Sequence, residues 1–492
     1  MTNGATETAR ELPPQPSTKS KSLFEYWLPA ALLLAVFSFT IPGGSSADLW
    51  WHLSTGQYIV QHKTVPHADP FSATAAGKPW IAHEWLSDVI LYLTYSWAGS
   101  IGLLLLVAAL ITLAFWITYR QCHGPEVANV LAIALGVWTA FPTFMARPQV
   151  FTVLLAAIFL LILCKYRDGR SGRELLVLPL LTLLWVNLHG GYILGPALVL
   201  LALVGCLIDG AAHLQDAATT RRQMRELALA FLGCMVVVPL NPNGLKMYSY
   251  PLETLHSSAM QARIMEWHSP DFHMSIFYPL ALLLFLAVAV FSLSPKRPRP
   301  SEMLRFAVFG LATLRSMRNL PIFVLVTVPL LAQYCVLPKW HWPQLQPNLR
   351  RTLQVVALLL VAAFSAQYLS NRLADDIRIE RARFPFGAVK YIQENQPPGP
   401  IFNSYDFGGF LIWKLYPHYR VFIDGRADLY GDEFIEDFVR VYEVQVDPGP
   451  RLDQSGIRTV IVEPGSNIAS FLRTQSQWRR VYEDQLGVIF TR

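Results

Sequence analysis

The chain has 492 residues, 53% of them hydrophobic and 15% charged. That balance excludes an ordinary soluble domain, because apolar runs near the roughly 20 residues that cross a hydrocarbon core recur along the sequence. The net charge of +6 is explained by loop lysines and arginines and implies no nucleic-acid partner.

In chain order, residues 1–22 are polar and contain E-L-P-P-Q-P-S-T, too little apolar surface to order the segment, and read as a disordered cytosolic tail. The first apolar run, 23–42, follows Lys19 and Lys21 and is too long, without a small-residue cleavage site, to be a removable signal peptide. Further spans are expected near 101–119, 126–144, 148–165, 174–188, 192–209, 226–241, 276–294, 302–315, 319–337 and 352–370, about eleven helices in all. With the N-terminus inside, the basic loops Y-R-Q-C-H, K-Y-R-D-G-R-S-G-R, T-T-R-R-Q-M-R, S-P-K-R-P-R-P and Lys339 to Arg351 all fall on the cytosolic side. The positive-inside rule then puts the C-terminus on the outer side of the inner (cytoplasmic) membrane.

Three longer regions share the external side: a first loop of 43–100, a second of 241–275, and the tail 371–492. Loops of such length usually carry function. The tail alternates P-I-F-N-S-Y, D-F-G-G-F-L-I-W-K-L, Y-R-V-F-I-D, D-E-F-I-E-D-F-V-R-V-Y, T-V-I-V-E-P-G, N-I-A-S-F-L-R and L-G-V-I-F-T-R, a strand and helix rhythm. The fold class expected is therefore mainly α, a polytopic helical membrane domain over 23–370 with a C-terminal extracytoplasmic α/β domain over 371–492. Cys122, Cys164, Cys206, Cys234 and Cys335 lie in or beside apolar spans and show neither a disulfide framework nor zinc spacing.

The stretch D-L-W-W-H, Asp48 to His52, stands just past the first span. Trp50 and Trp51 suit the headgroup level, where an indole keeps its N–H wet. Asp48 loses hydration there, a cost that a chain accepts for a cap or for a function. The first loop also carries P-H-A-D-P-F-S and P-W-I-A-H-E-W, offering Asp69, His83 and Glu84, with Asp69 equally suited to an Asx turn. W-V-N-L-H-G-G-Y places His189 at an external Gly-Gly turn. Asp406 reads as a helix cap or a ligand contact, and D-G-R-A-D, with Asp424 and Asp428, as a turn or a ligand site at a strand end.

These residues carry a resemblance. A first helix with an Asp at its outer end, a long first loop, many further spans and an external domain look like the GT-C glycosyltransferases, which use polyprenyl-phosphate-linked sugars. D-L-W-W-H-L-S-T-G-Q-Y-I-V-Q-H resembles the D-P-Y-F-N-Y-type start of oligosaccharyltransferase catalytic subunits. R-I-M-E-W-H-S-P-D-F is similar to their external-loop segment with an essential Glu, here Glu266, and S-Y-D-F-G-G-F-L-I-W is similar to a degenerate W-W-D-Y-G region. Two departures stand out: the loop F-M-A-R-P-Q has Arg147 where the family has an acidic pair, and Ser404 and Tyr405 replace the sequon-reading tryptophans.

The resemblance implies a polyprenyl-phosphate sugar donor, an acceptor outside the cytosol, and Asp48 and Glu266 as catalytic carboxylates. The phosphate leaving group is a weak base, so the chemistry needs a base and a cationic clamp rather than a general acid. Arg315 and Arg318, on the external side against the positive-inside rule, suit that clamp or snorkel from helix ends. His52, His83, Glu84, His189 and Asp406 are possible substrate contacts. A divalent ion, Mg or Mn, would draw on Asp48, Asp69 and Glu266. A transporter or flippase would need ionisable residues deep in the spans, which are few here, whereas a catalytically inactive scaffold of the same fold is compatible with the missing acidic pair.

Overall fold

The computed structural model describes residues 27–42, 46–336 and 346–492. The tail 1–22, the start of the first span and part of the basic stretch from Lys339 to Arg351 lie outside the described residues. The helical part runs α1 (Trp27–Phe39), α2 (Leu49–His62), α3 (Trp85–Tyr119), α4 (Glu126–Ala140), α5 (Gln149–Arg167), α6 (Val177–Leu188) and α7 (Leu194–Ala211). It continues through α8 (Ala217–Val237), α9 (Lys246–His256), α10 (Ser258–Arg263), α11 (Tyr278–Leu293), α12 (Pro300–Arg315), α13 (Leu320–Tyr334) and α14 (Pro347–Arg383). A helix stands at each expected span, but among the described residues only eight helical segments are long and apolar enough to cross a membrane. Helices α1, α6 and α12, with 13, 12 and 16 residues, fall short of that length.

Burial sorts these helices. Every residue of α13 from Leu320 to Ala332 is buried, as an all-apolar helix at the centre of a bundle must be. By contrast, α11 exposes Phe285 and Leu293 and α14 exposes Leu360 and Phe364, faces that are stable only against hydrocarbon. Within α3, Gly99 adopts φ +60°, a left-handed conformation that glycine enters without steric cost. It separates the segment Trp85–Ala98, beside the first loop, from the span expected at 101–119. Helix α14 carries the chain past residue 370 to Arg383 without a break.

The C-terminal unit contains α15 (Phe386–Asn395), β1 (Ile401–Asn403), α16 (Tyr405–Leu415), α17 (Ala427–Tyr430), α18 (Asp432–Tyr442), α19 (Pro448–Gln454), β2 (Thr459–Val462), α20 (Asn467–Thr474), β3 (Arg479–Glu483) and β4 (Val488–Thr491). The sheet order is β1-β2-β4-β3, with β1 parallel to β2 and the other pairs antiparallel. β1 and β2 are buried throughout, while β3 is a charged edge whose arginines hide its strand character in the sequence. Y-R-V-F-I-D, expected as a strand, does not join the sheet. The Asn403 side chain takes the place of a ladder there, accepting from Phe422 N–H (2.8 Å) and donating to Ile423 O (2.8 Å). Val421 instead pairs with the first loop, its carbonyl accepting from Ala73 N–H (2.8 Å). The first loop and the C-terminal unit therefore share one core.

Trp50 belongs to that core. It is 1% exposed and packs edge-on against Phe384 and Phe410, with centroids 5.6 and 5.3 Å away, so it does not sit at the headgroup level as its sequence suggested.

Candidate functional site

Asp48 precedes α2 at the N-cap position, but its side chain makes no capping hydrogen bond. Its carboxylate is held elsewhere: Oδ2 accepts from Arg147 Nη1 at 2.6 Å and Oδ1 from Trp51 Nε1 at 3.3 Å. Arg147 Nη2 also makes a close ion pair with Glu266. One guanidinium thus joins the two carboxylates singled out from sequence, one from the first loop and one from the second. Arg147 is presented rigidly. Its N–H bonds Met145 O (2.9 Å), and Pro148, which restricts the residue before it, starts α5. Its Nε is buried with no hydrogen-bond partner among the described residues. The turn at Gly425 closes over Asp48: a Cβ there would lie 2.1 Å from Oδ1, so any other residue would displace that carboxylate.

Glu266 lies in a single 3-10 turn, Met265–Trp267, fastened to the turn between α12 and α13. Ser316 Oγ donates to Glu266 O (2.9 Å) and Met317 N–H to His268 O (3.0 Å). That turn carries both arginines expected to clamp phosphate, and it separates them. The Arg318 guanidinium lies 4.8 Å from the Trp267 ring, and its charged neighbours include Arg147, Glu84 and Asp48. Both arginines are exposed and, among the described residues, neither side chain enters an ion pair; Arg315 is engaged only through its carbonyl, by Ser269 Oγ (3.4 Å). Asp406 occupies the first turn of α16, whose N-cap is Ser404, so it is not the cap residue. Burial raises its pKa, with Arg383 opposing and Asp48 reinforcing the rise.

A second group surrounds Glu84. Its carboxylate meets His83 Nε2 at 3.3 Å, His189 Nε2 at 3.5 Å and His52 Nε2 at 3.8 Å. The hydrogen-bond network assigns their protonation. His189 Nδ1 accepts from Gly191 N–H (2.9 Å) and meets Thr152 Oγ1 at 2.8 Å, while Thr152 itself accepts from Trp185 Nε1. The His189 proton therefore resides on Nε2, aimed at Glu84, with the ring neutral. Burial lowers the His189 pKa to about 3 against the pull of Glu84. His83 Nδ1 faces Ile81 O at 3.1 Å and its Nε2 faces Glu84, an arrangement that both protons of an imidazolium satisfy. Burial disfavours that charge, but Glu84 beside it holds the pKa above the ordinary 6.5. Glu84 is likewise opposed by burial, yet His83 and His189 hold it well below the carboxylate range. His52 Nδ1 bonds Asp88 Oδ1 at 2.6 Å, and Tyr250 donates to Asp428 Oδ2 at 3.3 Å while its ring lies 4.3 Å from that of His83.

Asp69 stands apart from both groups. Oδ1 accepts from Phe71 N–H (3.0 Å) and Arg426 Nη1 (2.7 Å), and Oδ2 from Ser72 N–H (3.0 Å). Arg426 is fully buried with Asp424, whose Oδ2 also accepts from Tyr430 (2.7 Å). The three carboxylates suggested for a metal are thus not assembled: Asp69 forms an Asx turn inside an ion-pair network. Among the described residues no group of three or more His, Cys, Asp or Glu is arranged to hold a metal.

No protein-family model matches the sequence, and no curated protein matches it. Solved structures do match its fold. AglB, the oligosaccharyltransferase of the archaeon Archaeoglobus fulgidus in complex with an inhibitory peptide and a dolichol-phosphate, superposes with a TM-score of 0.54 at 12% identity, over 90% of this chain and 70% of its own. The mycobacterial arabinofuranosyltransferase AftD gives 0.55 at 14% over 96% of this chain and 40% of its own. ArnT of Cupriavidus metallidurans in the apo state gives 0.51 at 14% over 95% and 97%. The fold is that of the GT-C glycosyltransferases. Within this GT-C frame, Asp48, Arg147, Glu266 and Arg318 meet where the first loop, the α4–α5 turn, the second loop and the α12–α13 turn converge. Sequence reasoning noted Arg147 only as a departure, and it passed over Asp88, Trp267 and Tyr250. The available signal for Arg147 was its charge on a turn expected on the external side, where the positive-inside rule disfavours it.

Proposed function

We propose that this protein is a membrane glycosyltransferase that moves a sugar from a polyprenyl-phosphate donor to an acceptor outside the cytosol, with the N-terminus cytosolic and the C-terminal unit outside the inner membrane. The observation that carries the reading is the convergence of two carboxylates and two arginines from four separate segments of a GT-C fold. Asp48 takes the acceptor proton as the acceptor bonds the sugar's anomeric carbon and the bond from that carbon to phosphate oxygen breaks. Arg318 meets the phosphate charge that this releases, where a planar guanidinium is matched to phosphate oxygens. The unpartnered Nε of Arg147 is a further donor for an oxygen of the loaded site. His52, His83, Glu84, His189 and Asp406 line the approach as acceptor or sugar contacts. AglB, with its peptide and dolichol-phosphate, supports a site of this kind in the fold.

The decisive assay incubates membranes containing the protein with a panel of polyprenyl-phosphate sugars and follows transfer. Asp48→Asn keeps the shape but cannot take a proton, so the rate should fall by roughly 100- to 10,000-fold while insertion is unchanged. A variant within a few-fold of the parent removes Asp48 as the base.

A further inference from the structure

The two carboxylates that a divalent ion would use already share a cation. We infer that Arg147 is a built-in substitute for a divalent metal, so that the site operates with Asp48 and Glu266 bridged by its guanidinium and no bound Mg or Mn. Arg147 Nη1 lies 2.6 Å from Asp48 Oδ2, Nη2 is in close contact with Glu266, and Trp51 Nε1 holds the other oxygen of Asp48. A small divalent ion such as Mg²⁺ is held by one or two carboxylates with waters completing its octahedron, so the two carboxylates that Arg147 takes are the ones that decide. Here the candidate third carboxylate, Asp69, is committed to Arg426 and to backbone N–H groups.

Charge leads to the same conclusion. Asp48 and Glu266 are both paired directly with Arg147, and Arg318 adds a further positive charge, with Arg147 and Asp48 among its charged neighbours. A divalent ion placed between the two carboxylates would meet the Arg147 guanidinium, which repels it. The Arg147 guanidinium occupies the place that such an ion would take. Its turn, fixed by Met145 and Pro148, restricts movement aside. The bridge also aligns both carboxylates before any substrate arrives, an ordering role that a metal ion would otherwise fill.

The inference concerns the same site as the proposed transferase, but its test reads ion binding, so either can fail without the other. The full-length protein in detergent is titrated with Mn²⁺ and free ion is followed by electron paramagnetic resonance. The parent and Asp48→Asn should give the same titration up to about 1 mM. Arg147→Ala should gain one site, weakened about tenfold or more when Asp48→Asn is added. Arg147→Lys, which keeps the charge, should gain none. A parent protein that binds one Mn²⁺ lost in Asp48→Asn overturns the inference, as does a folded Arg147→Ala protein with no new site. If the alanine variant does not fold, Arg147→Gln carries the same expectation, and the comparison of parent with Asp48→Asn still decides.

Discussion

A carboxylate just past a membrane helix is costly unless something holds its charge, and Asp48 is held on one oxygen by Arg147 and on the other by Trp51. The same logic separates the two arginines of the α12–α13 turn. Both are exposed and outside any ion pair among the described residues, but Arg318 lies over the Trp267 ring with Arg147 and Asp48 among its charged neighbours. Donor binding should therefore weaken in the order Arg318→Ala, then Arg318→Lys, with Arg315→Ala close to the parent. Equal binding of a polyprenyl-phosphate probe by the parent and Arg318→Ala would leave Arg318 as a helix anchor only. His83 and His189, beside Glu84, give stability a pH dependence. His189 has its folded pKa depressed to about 3 from 6.5, so the unfolded chain takes up the proton first and stability falls as pH drops from 6.5 toward 3. Glu84, also depressed, loses its contribution below its ordinary 4.5. His83, raised, contributes fully below 6.5 and loses that contribution as pH rises through its folded pKa. Asp428, raised by burial, opposes the acid trend, so the informative readout is a difference. His189→Gln should flatten the fall in thermal midpoint between pH 6.5 and 4.5, and an unchanged slope would show that His189 is not the titrating group.

At the level of elements, the junction between the first loop and the C-terminal unit depends on the buried Arg426 with Asp69 and Asp424. Removing one partner of a buried ion pair leaves an uncompensated charge and costs about 3–5 kcal/mol. Arg426→Met should lower the thermal midpoint in detergent and expose the tail to proteolysis; a loss below roughly 1 kcal/mol would mean that water relieves the two aspartates. The elements themselves were largely legible. Apolar runs marked the helices, and T-V-I-V and L-G-V-I-F-T-R marked β2 and β4, because a buried strand is written in β-branched residues. Y-R-V-F-I-D carries that signature too and still fails to join the sheet, since the Asn403 amide occupies its bonding positions. The edge strand β3 was invisible because charges that block aggregation also erase the pattern.

For the whole molecule, the orientation inferred from loop charge is open to direct measurement. Cysteine labels introduced beside Gly465 should react from outside the cell, and labels near Arg221 only from the cytosol. A tail reached from the cytosolic side would invert every loop used for the site and end the transferase proposal.

The sequence by itself determined that the chain spans a membrane repeatedly and ends in an α/β unit, because hydrophobic length and periodicity are local properties that burial in lipid or in a sheet demands of each segment. It also picked out Asp48, Arg315 and Arg318 as charges in costly places, and Glu266 through the family resemblance. Tertiary structure alone decided how such charges are neutralised. Arg147 stands 99 residues from Asp48 in the chain, and Asp69 stands 357 from Arg426. Which cation reaches which carboxylate is set by the packing of distant loops, and no spacing in the sequence records it. The same packing took Trp50 from the expected membrane interface into the core between Phe384 and Phe410, since apolar area is buried wherever the fold supplies a partner for it.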